Sequence, residues 1–176
     1  MRFSVLLAAL MVAVFAASMH AEETTREDFR EFCRTWEGRW VGDVTWIADW
    51  PGMGKKGEKV TAYWDARVTE DGNALVGKFY GGTGSSTHLA YFDPDSKQIN
   101  WLWIESGGRV VQNRMYKKDG KWVQQGSAVN PDGAKTQYVG TAVFTDNSNT
   151  HTWTGSGTVD GKKTAEQHDV WRRVGK

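Results

Sequence analysis

Beyond Trp36 the apolar side chains recur at every second position, and the spacing never returns to a helical one. Nine short connections interrupt this alternation. Seven are compact turns: Glu70-Asp71-Gly72-Asn73, Asp93-Pro94-Asp95-Ser96, Ser106-Gly107-Gly108, Lys118-Asp119-Gly120-Lys121, Asn130-Pro131-Asp132-Gly133, Thr145-Asp146-Asn147-Ser148 and Asp160-Gly161. Each offers glycine or asparagine where φ must be positive, or proline where φ is preset. The Pro51–Gly57 and Gly81–Ser86 stretches supply the other two, the second reading as a flexible rim loop.

Nine connections delimit ten strands, near 38–50, 58–69, 74–80, 87–92, 98–105, 109–117, 121–129, 134–145, 149–159 and 162–174. Connections this short make neighbours antiparallel, because a parallel pair needs a crossover of about a dozen residues or more. An open ten-stranded meander would leave two long edges as templates for aggregation, and closure removes them. The expected fold is therefore all-β, a ten-stranded antiparallel up-and-down β-barrel. A β-sandwich is the alternative, but no connection is long enough for a Greek-key return.

One short helix precedes the strands. Thr25 is placed to cap it with Asp28 reaching back, and Phe29, Phe32, Cys33 and Trp36 fall on one helical face. That face predicts a helix lying across one end of the barrel.

Period-two logic assigns the faces. Trp40, Val44, Trp46, Ala48 and Trp50 point inward from the first strand, and Val60, Ala62, Trp64, Ala66 and Val68 from the second. Trp101 and Trp103 share a face of the fifth, whose other face carries Leu102 and Ile104 and is expected to be covered by another element. If Asp160-Gly161 is a two-residue turn, Trp153 opposes His168 and His151 opposes Val170. His168, Val170 and Arg172 then face inward, with His151 and His168 about 7 Å apart. A slip of one residue would reverse these assignments.

The N-terminus has a different character. Met1-Arg2 is followed by an apolar run from Val5 to Ala17 and then by small residues, the layout of a secretory signal peptide. Cleavage is expected after Ala21, with Ser18 as the alternative, leaving 22–176 as one exported domain, periplasmic or extracellular. The apolar run is shorter than the roughly 20 residues a spanning helix needs, so no membrane span is expected in the mature chain. The net charge of the whole chain is +1, which gives no field for recruiting nucleic acid. The single cysteine, Cys33, excludes an intrachain disulfide.

Several of these residues have a familiar arrangement. A short helix followed by Gly38-x-Trp40, with an arginine on the last strand, resembles the calycin superfamily of lipocalins and fatty-acid-binding proteins. The resemblance implies that the arginine packs across the tryptophan and closes one end of the barrel; Arg172 is the candidate and Arg173 the reserve. Trp36-Glu37-Gly38 together with Val170-Trp171-Arg172-Arg173-Val174 looks more closely like the bacterial domain-of-unknown-function family 1579. The nitrobindins, ten-stranded barrels of the same superfamily, hold haem through a histidine near the C-terminus. Their early Trp-x-Gly segment is similar to Trp36-Glu37-Gly38, and Gln167-His168 occupies the corresponding end. The leucine and alanine pattern that follows the nitrobindin histidine is replaced here by Asp169-Val170-Trp171.

Ten tryptophans are more than a small core ordinarily needs, although dense packing accounts for most of them. A ten-stranded barrel is wide enough to leave a cavity. The expected ligand-binding wall is Trp46, Trp50, Trp64, Trp101, Trp103 and Trp153, with His151 and His168 as polar anchors and Trp40 and Arg172 as barrel-closing residues. The expected function is non-covalent binding of a partly hydrophobic or aromatic small molecule, without a cofactor. One alternative is a haem-binding barrel using His168. A second is an enzyme using cavity carboxylates, with Glu105 and Glu166 as acid and base, although either glutamate could instead pair with Arg109 or Arg172. No nucleophile elbow, phosphate-binding loop or metal-ligand spacing occurs in the sequence.

Overall fold

The computed structural model describes residues 22–175, so the expected signal peptide lies outside the described residues. Helix α1 (Arg26–Trp36) leads into β1 (Gly38–Thr45), β2 (Lys59–Thr69), β3 (Ala74–Gly81), β4 (Gly84–Asp93) and β5 (Gln98–Glu105). Then follow β6 (Val110–Lys118), β7 (Lys121–Val129), β8 (Lys135–Thr145), β9 (Thr150–Val159), the two-residue β10 (Lys162–Lys163) and β11 (Gln167–Gly175). Every pairing is antiparallel between sequence neighbours, except that β11 pairs with both β9 and β1. Because β8 also pairs with β9, the sheet closes, and β10 with β11 forms one broken stave of a ten-stranded barrel.

The helix forms where its cap and apolar face predict. Thr25 accepts a hydrogen bond from the Asp28 N–H at 3.1 Å, and the Asp28 carboxylate accepts from the Thr25 N–H at 2.7 Å. Phe29 and Phe32 are fully buried. Phe32 meets Trp101 and Trp122 edge-on, at 5.4 Å in each case, so the apolar face of α1 plugs the barrel. Polar contacts fasten the helix segment to turns and strand ends at that end: the Thr24 N–H donates to the Lys97 carbonyl at 2.9 Å, and Arg26 reaches Asn73. Helix to strand is a sharp change of direction, made at Gly38 with φ of 109°, a conformation that strongly favours glycine.

The end of the helix is tied to three distant residues. Both the Trp40 and Trp64 indoles donate to the Trp36 carbonyl, at 3.3 and 3.2 Å. Arg173 donates to the carbonyls of Thr35 (2.9 Å), Ser148 (3.0 Å) and Glu37, while its guanidinium lies 4.1 Å from the centre of the Trp40 ring. These donors satisfy carbonyls that a helix C-terminus leaves open and put a cation at the negative end of its dipole.

The arginine is therefore Arg173 and not Arg172, which is exposed on the outer face. The reason is a one-residue change of register. Lys162 and Lys163 pair with Val159 and Thr158, as the Asp160-Gly161 turn dictates. The Thr164 N–H still bonds to the Gly157 carbonyl, but Gln167 lies opposite Gly155. Three steps along one strand thus match two along the other, as at a β-bulge, and every later side chain is inverted. Asp169, Trp171 and Arg173 take the inner face. Asp169 now opposes Trp153, Trp171 opposes His151, and His168 is exposed.

Two other expectations change. Gly81–Ser86 is not a loose loop, since β3 and β4 run on to a tight turn at Gly82-Thr83, with Gly81 opposite Gly84. Among the described residues no element covers the outer face of β5; Ile104 is 52% exposed, because the helix occupies the end of the barrel instead. Replacing Arg173 by alanine strands its carbonyl partners and is expected to cost about 2–4 kcal/mol in urea unfolding, whereas Arg172→Ala stays within about 0.5 kcal/mol. Equal effects would place the register elsewhere.

Candidate functional site

At the end away from the helix, β1 stops at Thr45 and residues 46–58 fold over the opening. Strand geometry ends because the chain turns back on itself. The Trp46 N–H donates to the Glu58 carbonyl at 3.0 Å, the Gly57 N–H to the Trp46 carbonyl at 2.7 Å, and the Trp50 N–H to the Gly54 carbonyl at 2.9 Å. Trp46 and Trp50 therefore reach the interior from a folded loop, not from the strand that their even spacing predicts. Ser106 Oγ donates to the Gly52 carbonyl at 3.0 Å, fastening this loop to the β5–β6 turn.

Between loop and helix lies a cavity of about 180 Å³. It is smaller than a barrel of this strand number suggests, because indoles fill much of the interior. Several lie against glycines of neighbouring strands, Trp64 on Gly77, Trp171 on Gly42 and Trp153 on Gly140, and Trp153 also covers Gly155 two residues along its own strand. A methyl group at any of these glycines would overlap the ring. Large aromatics on one strand thus require missing side chains on the next.

Six of the expected wall residues, Trp46, Trp50, Trp64, Trp101, Trp103 and Trp153, do line the cavity, and so does His151. His168 does not; it lies on the outer face within 3.3 Å of Thr154 Oγ1. Trp40 is buried at the helix end, 4.9 Å from the His151 ring, as a closing residue. Of the two candidate acids only Glu105 is inside, and Glu166 is exposed beside the register change. The paired-carboxylate arrangement is therefore not formed. Trp171 and Asp169 join the wall through that same register change. His88, Tyr138, Gln124 and Arg109 complete the polar wall, and the alternation of β8 through Thr136, Tyr138 and Gly140 was the sequence signal for Tyr138.

The polar groups of the wall divide into two sets. In the first, every member finds a partner. Trp153 donates to Gln124 Oε1 at 3.0 Å, Gln124 Nε2 donates to Asn113 Oδ1 and Tyr138 Oη at 3.0 Å each, and Asn113 Nδ2 donates to the Trp101 carbonyl at 2.8 Å. Tyr138 also bonds to Asn113, and burial raises its phenol pKa. In the second set the indole N–H groups of Trp36, Trp46, Trp101 and Trp103, Nδ1 of His88 and His151, Arg109 Nε, Glu105 Oε2, Thr136 Oγ1 and Asp169 Oδ1 have no partner among the described residues. Leaving such a group buried and unmatched costs about 1–3 kcal/mol.

His88 stands in an aromatic box, stacked on Trp103 at 4.9 Å and edge-on to Trp64 at 4.6 Å, with Nε2 2.6 Å from Ser86 Oγ. Burial, helped by the charge on Lys78, lowers its pKa far below the usual imidazole value. Burial, with a contribution from Arg173, holds His151 down at about 3. Burial also pushes the Glu105 carboxyl up against the opposing pull of Arg109, and pushes Asp169 up to about 6.

The haem alternative loses its expected ligand. An axial ligand must enter the cavity, and His168 points away from it. Among the described residues no group of three or more histidine, cysteine, aspartate or glutamate side chains could hold a metal ion, and no helix is long and apolar enough to cross a membrane. No family model matches the chain, and a search of curated proteins finds no similar sequence.

The buried titratable groups give a signed pH dependence. His151 stays neutral in the folded chain to about pH 3, while the unfolded chain takes up a proton near 6.5, so stability falls as pH drops between these values; His88 acts in the same direction. Asp169 acts oppositely. Its folded carboxyl binds a proton near 6 and the unfolded one near 3.8, so it adds stability as pH drops through that window. Asp169→Asn removes this compensation and is expected to steepen the loss of stability between pH 6 and 4 by roughly 1.4 kcal/mol per pH unit. Urea midpoints at several pH values measure it, and an unchanged slope would mean that Asp169 is solvated.

Proposed function

We propose that this chain is an exported, calycin-like barrel that holds one small, partly hydrophobic or aromatic molecule by non-covalent contacts. The cavity carries the reading: about 180 Å³ walled by indoles, with unmatched polar atoms around its perimeter. An engineered apolar cavity of about 150 Å³ is enough to take up benzene, so the scale here is a single ring with substituents. Ligand pockets are typically apolar surfaces with a few aimed polar groups, and this wall has that composition. Export rests on the Met1–Ala21 pattern, and the calycin relationship on Gly38-x-Trp40 with a terminal arginine across the tryptophan.

Uniform burial against the indoles supplies the affinity, and the unmatched N–H groups orient the ligand. Catalysis is a weaker reading, because Glu166 lies outside the cavity and Glu105 shares the wall with Asp169 without a hydrogen bond between them among the described residues.

Native mass spectrometry of the protein from its own host should show a bound small molecule. Aromatic compounds of one ring should shift the tryptophan emission of the purified protein. Thr136→Leu, which places an apolar branch in the cavity, should weaken that binding about tenfold or more while the chain stays folded. The same affinity in Thr136→Leu, or no emission change across a panel of such compounds, would remove the cavity as the site.

A further inference from the structure

The wall contains one fixed positive charge, Arg109, which forms a loose ion pair with Glu105 and makes no side-chain hydrogen bond among the described residues. Arg109 lies in the turn that joins β5 to β6, held by a hydrogen bond of 2.9 Å from the Glu105 N–H to the Arg109 carbonyl. Its side chain is 5% exposed. One face of the guanidinium rests on the Trp50 ring at 4.1 Å, so the loop over the opening presses it into place. Glu105 is the nearest carboxylate, but Oε2 stands 3.6 Å from Arg109 Nε, too far for a hydrogen bond. Both atoms remain unmatched.

We propose that Arg109 is an anion anchor and that the molecule held in the cavity is a small planar aromatic carboxylate, its ring against the indole wall. This inference rests on the ligand-binding reading above. A guanidinium is a rigid fork of donors that matches the two oxygens of a carboxylate. The unmatched indole groups of Trp46, Trp101 and Trp103 are also donors only, so with Arg109 they form a donor set open to an acceptor, beside the unmatched oxygens of Glu105 and Asp169 on the same wall. A carboxylate offers acceptors alone. The aromatic part follows from the rest of the wall and from a volume that admits one ring.

Glu105 and Asp169 are the acids on the same cavity, and they define the rival ligand, an amine. Burial pushes both carboxyls up, Glu105 against the opposing pull of Arg109, which weakens their repulsion of an anion.

Calorimetric titration of the intact protein with benzoate, benzamide, benzylamine and indole tests this. Benzoate is expected to bind roughly ten- to a hundredfold more tightly than benzamide, the range set by a charge-assisted hydrogen bond. Arg109→Gln paired with Glu105→Gln removes both charges at nearly constant shape and should bring the two within about twofold while indole still binds. In the unaltered protein the Arg109 side-chain N–H resonance should move with benzoate and stay in place with benzamide, a readout that needs no variant. Indole binding without a preference for benzoate overturns the anion anchor and leaves the cavity reading standing. A preference for benzylamine, or one for benzoate that survives the double substitution, also overturns it. If neither indole nor any of the benzene derivatives binds, both readings fall.

Discussion

The carbonyls at the end of α1 are the constraint on which the rest of the molecule depends. A helix inserted into a barrel must bring its unmatched C-terminal carbonyls with it, away from water. Here they are met from three parts of the chain: Trp40 on β1, Trp64 on β2 and Arg173 on β11. Arg173 joins the last strand to the helix and, through its contact with Trp40, to the first strand, so the residues that plug the barrel also close it. Gly38-x-Trp40 has a physical meaning in this setting. Glycine turns the chain from helix to strand, and two residues later the indole folds back over the same helix end. Without the distant arginine, that joint would leave buried carbonyls unmatched and the plug would be unstable.

Closing one end this way determines what remains of the interior. Phe29, Phe32 and Trp36 occupy the helix end, and the loop carrying Trp46, Trp50 and Met53 occupies the other. The aromatic residues between them cannot all be seated on a pleated surface with full side chains. Glycines beside Trp64, Trp153 and Trp171 let those rings lie against backbone. This arrangement thickens the wall and shrinks the lumen to the dimensions of one ring. The low strand propensity of glycine is offset by the area each indole buries, which for tryptophan is on the order of 200 Å².

The architecture was legible in the sequence because turn chemistry and period-two patterning are local signals, and both are strong here. The ends of β5 and β7 fall where the turns put them, and the inner residues of β2 are those of the alternation. What could not be read depends on single residues without a local signature. The extra residue between Thr164 and Gln167 is compositionally ordinary, yet it exchanges His168 for Asp169 and Arg172 for Arg173. Likewise the even spacing of Trp46 and Trp50 imitates a strand, while bonds to Gly54, Gly57 and Glu58 within the loop, and from the distant Ser106 to Gly52, hold them in a folded loop. Arg109 and Glu105 flank a turn, where periodicity says nothing about direction. Which aromatics face inward could be read from patterning; which polar groups accompany them depends on register and loop closure.

The division of the polar wall bears directly on what the cavity is for. A core that needed only stability would match its buried groups, as Asn113, Gln124, Tyr138 and Trp153 do. Most of the unmatched buried groups among the described residues lie on this one lumen, and indole and guanidinium donors are prominent among them. Water is the obvious partner, and the volume corresponds to about six molecules at bulk density. Each buried water needs two to four polar contacts, however, and here indole faces make up much of the wall. Waters against those faces would lack bonds, while waters at the perimeter would leave the apolar middle exposed. A ligand with an apolar ring and an acceptor edge meets both demands at once, because displacing poorly bonded water from the ring faces favours binding while the edge satisfies the donors. The wall therefore favours an amphipathic guest over either water or a purely apolar one.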